Sequence, residues 1–119
     1  MRDFNNLDIW KRSHQLTIKI YRISQRFPRE EIYGQTSQLR RAAVSIPTNI
    51  AEGCGRKSNS EFANFLNIAA GSASEVEYEL LLAREVGYLT EDEYKGLYKE
   101  ICEIRRMLNV YMKKLTADS

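Results

Sequence analysis

The sequence predicts an all-α protein, an elongated four-helix bundle of up-down-up-down topology with sequential helices antiparallel. Three observations predict it. Four stretches carry apolar residues spaced three and four apart, the repeat of a single helical face. Two capping boxes, Ser58 with Glu61 and Thr90 with Glu93, mark helix starts. The 119 residues include only two prolines and six glycines, too few for a loop-rich β-sandwich.

The first helix is expected over about residues 6–27. Ile9, Ser13, Leu16, Ile20, Ile23 and Phe27 form its seam, and Trp10, His14, Thr17 and Tyr21 form a second edge, so it should pack on more than one neighbour. Pro28 ends it, since proline has no N–H and disfavours helix in the residue before it. The second helix, about 33–53, has its seam at Leu39, Ala43, Ile46 and Ile50. Pro47 removes the hydrogen bond to the Ala43 carbonyl, which predicts a kink or short break. Gly53 and Gly55 are expected to supply positive φ angles that close this helix.

The third helix, about 58–87, follows the first capping box along Phe62, Leu66, Ala69, Ala73, Val76, Leu80 and Ala83, and Gly87 stops it. Small residues from Ala69 to Ala73 would let a neighbour approach closely. The fourth, about 90–116, carries Tyr94, Leu97, Ile101, Ile104, Leu108, Tyr111 and Leu115, with Asp118 and Ser119 as a frayed tail. Seams of this period predict small crossing angles and short linkers predict antiparallel neighbours. Residues 1–119 form one domain, long enough to bury a core without disulfides or metal. At 1.5 Å per residue the third helix alone would reach about 43 Å.

No apolar run approaches the ~20 residues that span a bilayer, and the N-terminal residues lack a signal-like apolar stretch. The cytoplasm is the expected compartment, where Cys54 and Cys102 would be reduced. Net charge is only +2. Its distribution is lopsided: residues 1–57 hold eleven Lys/Arg against five Asp/Glu, and residues 58–119 hold seven against eleven.

Chemistry is hard to find. His14 is the lone histidine, beside an apolar seam, and reads as a packing residue with no second ligand at metal spacing. No catalytic residue, metal site, cofactor or small-molecule substrate is expected. Gly53 to Ser58 lacks the spacing of a phosphate loop and follows a helix rather than a strand. Arg56 and Lys57 nonetheless precede a helix N-terminus, where an anion is welcome.

Two stripes stand out. On the first helix Arg12, Lys19, Arg22, Arg26 and Arg29 share one flank, with no acidic residue between Lys11 and Arg29. With Arg40 and Arg41 they are candidates for phosphate or partner contact, or for an acidic surface on another subunit, such as that offered by Glu75, Glu79, Glu91, Asp92, Glu93, Glu100 and Glu103. On the second helix Ser37, Arg41, Ser45, Asn49 and Glu52 make a polar stripe, suited to ordinary surface, a subunit contact, a ligand or a polar network.

The stretch from Tyr33-Gly34 to Gly55, YGQTSQLRRAAVSIPTNIAEGCG, resembles the signature of the four-helix bundle proteins encoded by intervening sequences in bacterial 23S ribosomal RNA genes. Leu7-Asp8-Ile9-Trp10-Lys11, Glu61-Phe62, Leu66, Glu75 and Leu80 to Ala83 match the same pattern, so the likeness spans about residues 4–115. Arg40, Arg41, Pro47, Asn49, Glu52 and Gly53 fall on its central motif. The resemblance implies the bundle fold, a ribosomal-protein-like label and a homopentameric ring. The sequence is also similar to the accessory variability protein of diversity-generating retroelements, a basic pentamer that binds a reverse transcriptase and nucleic acid. The expected role is therefore a non-enzymatic oligomeric scaffold that associates with RNA, DNA or a nucleic-acid-handling protein. The alternative is a protein-only adaptor.

Overall fold

A computed structural model describes residues 2–117. It consists of four helices: α1, Asp8–Ser24; α2, Gln35–Cys54; α3, Asn59–Glu85; and α4, Glu91–Ala117. Short 3-10 turns at Phe4–Asn6 and Arg29–Glu31 precede α1 and α2, and no strand occurs among the described residues. The molecule measures 46 × 23 × 20 Å, a rod about as long as its two 27-residue helices require. The expected tail at Asp118 and Ser119 lies outside the described residues.

Contacts between neighbouring helices run in opposite chain directions. From α1, Thr17 meets Ala43 and Ser24 meets Arg40. From α2, Gln35 meets Glu79 and Ser45 meets Ser72. From α3, Glu77 meets Arg105 and Arg84 meets Glu91. Arg12, Lys19 and Arg26 of α1 meet Glu103, Glu100 and Glu93 of α4. Each helix is therefore antiparallel to the next, and α4 returns to close against α1. The seams meet in one core, with Leu16, Ile20, Leu39, Ile46, Ile50, Phe62, Leu66, Leu80, Ile101, Ile104 and Leu108 fully buried.

Both capping boxes form. Ser58 Oγ accepts from the Glu61 amide at 3.1 Å, while Glu61 accepts from the Ser58 hydroxyl rather than from its backbone. At α4 the exchange is fully reciprocal: the Glu93 amide donates to Thr90 Oγ1 and the Thr90 amide donates to Glu93 Oε1. Gly87, at φ 87°, closes α3 as expected. The amides of Tyr88 and Gly87 donate to the carbonyls of Ala83 and Arg84, the paired bonds of a Schellman end.

Three expectations need correction. α1 stops at Ser24 rather than near 27, because the approach to Pro28 tightens the chain: Gln25, Arg26 and Phe27 donate to the carbonyls three residues back. Phe27 is still buried, below the helix end. Pro47 causes no break, and α2 runs through it. The carbonyl of Ala43, which Pro47 leaves without an amide partner, accepts from the Thr17 hydroxyl of α1 at 3.1 Å. Gly53 and Gly55 do not adopt positive φ; Gly55 sits at −82° and Gly53 lies inside the helix. Gly53 is needed for space instead, since a Cβ there would stand 2.5 Å from Phe62 Cδ1 and 3.0 Å from the Phe65 Cβ.

Candidate functional site

The basic stripe of α1 is largely engaged within its own chain. Arg12 pairs with Glu103 at 3.2 Å, Lys19 with Glu100 and Arg26 with Glu93 at 2.7 Å. Steps of seven on α1 meet acids spaced three and seven apart on α4, so the three pairs form a ladder along the α1/α4 edge. The Arg12 guanidinium holds the Glu103 carboxyl below its ordinary range. Glu93 is lowered first by the Thr90 amide and then by Arg26, so one carboxylate both caps α4 and binds α1. The acids assigned to an outward flank are thus partly spent inward, and Glu79 is buried rather than exposed.

The remaining basic candidates divide. Arg40 donates from Nε to the Ser24 hydroxyl at 2.8 Å and from Nη2 to the Tyr21 carbonyl, with its guanidinium over the Tyr21 ring; it fastens α2 to the end of α1. Arg22, Arg29, Arg41 and Lys57 are exposed and have no carboxylate partner among the described residues. Arg56 is likewise without an acid and lies over the Phe65 ring, 4.6 Å from its centre.

Arg56 and Lys57 do not stand alone. The turn from α2 to α3 forms a shallow recess lined by Arg2, Gly55, Arg56 and Lys57. Arg2 is held there by a hydrogen bond to Asn59 and by its guanidinium over Phe62, 4.6 Å from the ring centre. Three cations therefore converge beside the N-terminus of α3, where backbone amides add partial positive charge. Sequence reasoning missed Arg2, because its place depends on the N-terminal segment folding back across the bundle end. No local pattern carries that information.

The polar stripe of α2 also separates into parts. Ser45 shares a hydrogen bond with Ser72 of α3 at 2.7 Å, and Asn49 donates to the Ser45 carbonyl and hydroxyl. These residues form a small polar network at the α2/α3 contact. Ser37 is half-buried, and Arg41 and Glu52 face solvent. The stripe thus combines a packing network with open surface.

At the opposite end of the rod, the two remaining turns are joined by one carboxylate. Glu31 accepts from the Gln35 amide at 3.1 Å, capping α2, and from the Tyr88 hydroxyl at 2.8 Å. The Tyr88 bond, then the Gln35 amide, lowers the Glu31 pKa. Gly34 permits this approach, as a Cβ there would lie 2.6 Å from Glu31 Oε1. Nearby, Glu79 has one carboxylate oxygen with no hydrogen-bond partner, and its pKa is raised by burial, then by Glu75 and Glu31.

His14 is exposed and stacks on Trp10, ring centres 4.8 Å apart and ring planes nearly parallel, rather than making a hydrogen-bonded packing contact. Among the described residues no cluster of His, Cys, Asp and Glu is placed to hold a metal ion, and no helix is long and apolar enough to cross a membrane.

The fold has a known counterpart. The crystal structure of a protein with unknown function from the S23 ribosomal protein family of Bacteroides thetaiotaomicron superposes with a TM-score of 0.80 at 28% identity, covering 88% of this chain and 98% of that one. No curated protein matches. The model of the 23S rRNA-intervening sequence protein family matches residues 5–110. On that match, which takes in all four helices up to Val110, the chain belongs to the 23S rRNA-intervening sequence protein family.

Proposed function

We propose that this protein is a non-enzymatic, cytoplasmic scaffold that assembles with copies of itself and contacts RNA phosphates through the α2–α3 end of the bundle. The observation that carries this reading is the convergence of Arg2, Arg56 and Lys57 beside a helix N-terminus, without an acidic partner for Arg56 or Lys57. Backbone phosphate is recognised by such clustered cations, and Arg56 laid on Phe65 presents a flat cationic surface on which an unpaired base can stack. The α1 stripe contributes less than its sequence promises, since Arg12, Lys19 and Arg26 already bind acids of α4.

Titration of single-stranded RNA at several salt concentrations tests the reading. Affinity should fall steeply with salt, and Arg56→Ala with Lys57→Ala should reduce the slope of log K against log salt by about 1.4, two phosphate contacts' worth for a single strand. Arg12→Ala with Arg26→Ala should leave RNA affinity near that of the wild type. Salt-independent binding, or binding indifferent to the Arg56/Lys57 pair, would overturn it. The second reading is a protein-only adaptor, for instance a partner for a reverse-transcriptase-like protein; the in-chain pairing of Arg12, Lys19 and Arg26, which withdraws them from phosphate, favours it over RNA contact by that stripe, and absence of RNA binding at low salt would select it.

A further inference from the structure

At the tip of the rod away from Arg56 and Lys57, the end of α1 and the start of α2 enclose a recess of about 420 Å³, a size that takes a small organic ligand. Its wall is apolar on one side, through Phe27, Pro28 and Ile32, and polar on the other, through Arg29, Thr36 and Arg40. Thr36 is the unusual member. It is only 5% exposed, and its hydroxyl has no hydrogen-bond partner among the described residues. The only sealed side-chain polar atom left unpaired among those residues is Glu79 Oε2, so the Thr36 hydroxyl keeps an opening, and the recess it lines is that opening. A buried hydroxyl left in this way costs free energy until something arrives to bond it.

The groups around that hydroxyl point to an anion. The first turn of α2 follows Gly34, which offers no side-chain cap. Glu31 takes the Gln35 amide, but the amides of Thr36 and Ser37 have no acceptor among the described residues. Arg40 spends Nε on the Ser24 hydroxyl and Nη2 on the Tyr21 carbonyl, which leaves Nη1 free. Arg29 is exposed and has no carboxylate partner among the described residues. Neither Glu30 nor Glu31 lines the recess, and both oxygens of Glu31 are engaged elsewhere, by Gln35 and Tyr88. Two arginines, a buried hydroxyl and the open end of a 20-residue helix thus converge with no acid on the wall.

We propose that this recess binds a small phosphate monoester, with its phosphate on the first turn of α2 between Arg29 and Arg40 and its organic body on Phe27, Pro28 and Ile32. A monoester carries close to two negative charges at neutral pH and three strong acceptor oxygens. Two arginines match the charge, and the Thr36 hydroxyl, Arg40 Nη1 and the helix amides match the oxygens. The site stands at the opposite end of the rod from Arg2, Arg56 and Lys57, so it does not rest on the RNA reading.

Calorimetric titration of the whole protein with adenosine monophosphate tests the site. The nucleotide should bind once per chain, inorganic phosphate should displace it, and adenosine should bind far more weakly. Thr36→Val, which keeps the shape and removes the hydroxyl, and Arg29→Ala should each weaken the nucleotide by about tenfold or more, the usual loss of a hydrogen bond to a charged group. Circular dichroism should show both variants folded; Arg29 is exposed, so Arg29→Ala decides the matter even where Thr36→Val unfolds. Arg56→Ala with Lys57→Ala should leave the nucleotide affinity as it is. Three results overturn the proposal: no binding of adenosine monophosphate at millimolar concentration, adenosine bound as tightly as the nucleotide, or affinity indifferent to Arg29→Ala. Affinity lost in the Arg56 and Lys57 variant also overturns it, since the phosphate would then sit at the other tip.

Discussion

Thr17 shows how one side chain supports a helix on a different segment. Its hydroxyl lies 2.8 Å from the Ser13 carbonyl and 3.1 Å from that of Ala43, so the donor that Pro47 removes from α2 is replaced from α1. Thr17→Val keeps the shape and leaves a buried acceptor unmet, which should cost about 1–2 kcal/mol in urea denaturation. In a Pro47→Ala background the restored amide serves Ala43, and the same substitution should cost clearly less. Equal costs in the two backgrounds would refute the relay. Glu79 presents the opposite case, a buried carboxylate with an unmet oxygen. Its folded pKa is raised, so its favourable contribution is present below the ordinary value of 4.5 and is lost as pH rises through the folded value. Glu79→Gln should therefore stabilise the protein at pH 7 relative to wild type, and the gain should vanish in acid. Denaturation curves at both pH values decide it. Pro47, which has no N–H, marked the Ala43 carbonyl as orphaned in the sequence, but not its rescue, because the rescuer stands 26 residues away and only packing brings it near.

Among the helices, the α1/α4 edge carries a ladder of ion pairs alongside its apolar seam. The ladder of Arg12–Glu103, Lys19–Glu100 and Arg26–Glu93 is partly solvated, and each rung by itself contributes little. Its signature is pH dependence. Glu93 and Glu103 have folded pKa values below the ordinary 4.5, so their contribution is full above that value and is lost as pH falls through it toward the lowered ones. The thermal midpoint should drop across that acid window. Arg12→Ala with Arg26→Ala should flatten the drop, and an unchanged profile would remove the ladder from the account. The four helices themselves were legible in the sequence, since seam spacing, Ser58, Thr90 and Gly87 are all local signals. The ladder was not, because spacing on α1 shows a cationic flank and says nothing of which helix will lie beside it. The same limit hid the role of Gly53: a helix-closing glycine and one that admits a neighbouring ring look alike until Phe62 is in place.

Taken whole, the molecule has one core that every helix enters, from Ile9 on α1 to Leu115 on α4. No part of it can bury its seam alone, so unfolding should be all-or-none. Helix content by circular dichroism and the fluorescence of Trp10, the only tryptophan, should report the same denaturant midpoint at a given protein concentration. Separate midpoints would mean that the α1 edge opens independently. The rod also has two unlike tips. Glu31 and Tyr88 lash the α1–α2 and α3–α4 turns together at one of them. The other gathers Arg2, the α2–α3 turn and, through the Phe62–Tyr111 contact, the last turns of α4. Labels or affinity handles appended to either extremity of the polypeptide would therefore crowd the cationic tip and blur any binding measurement. A dye carried at Val86, half-exposed on the lashed tip, would report on the particle while standing a full rod-length from that chemistry.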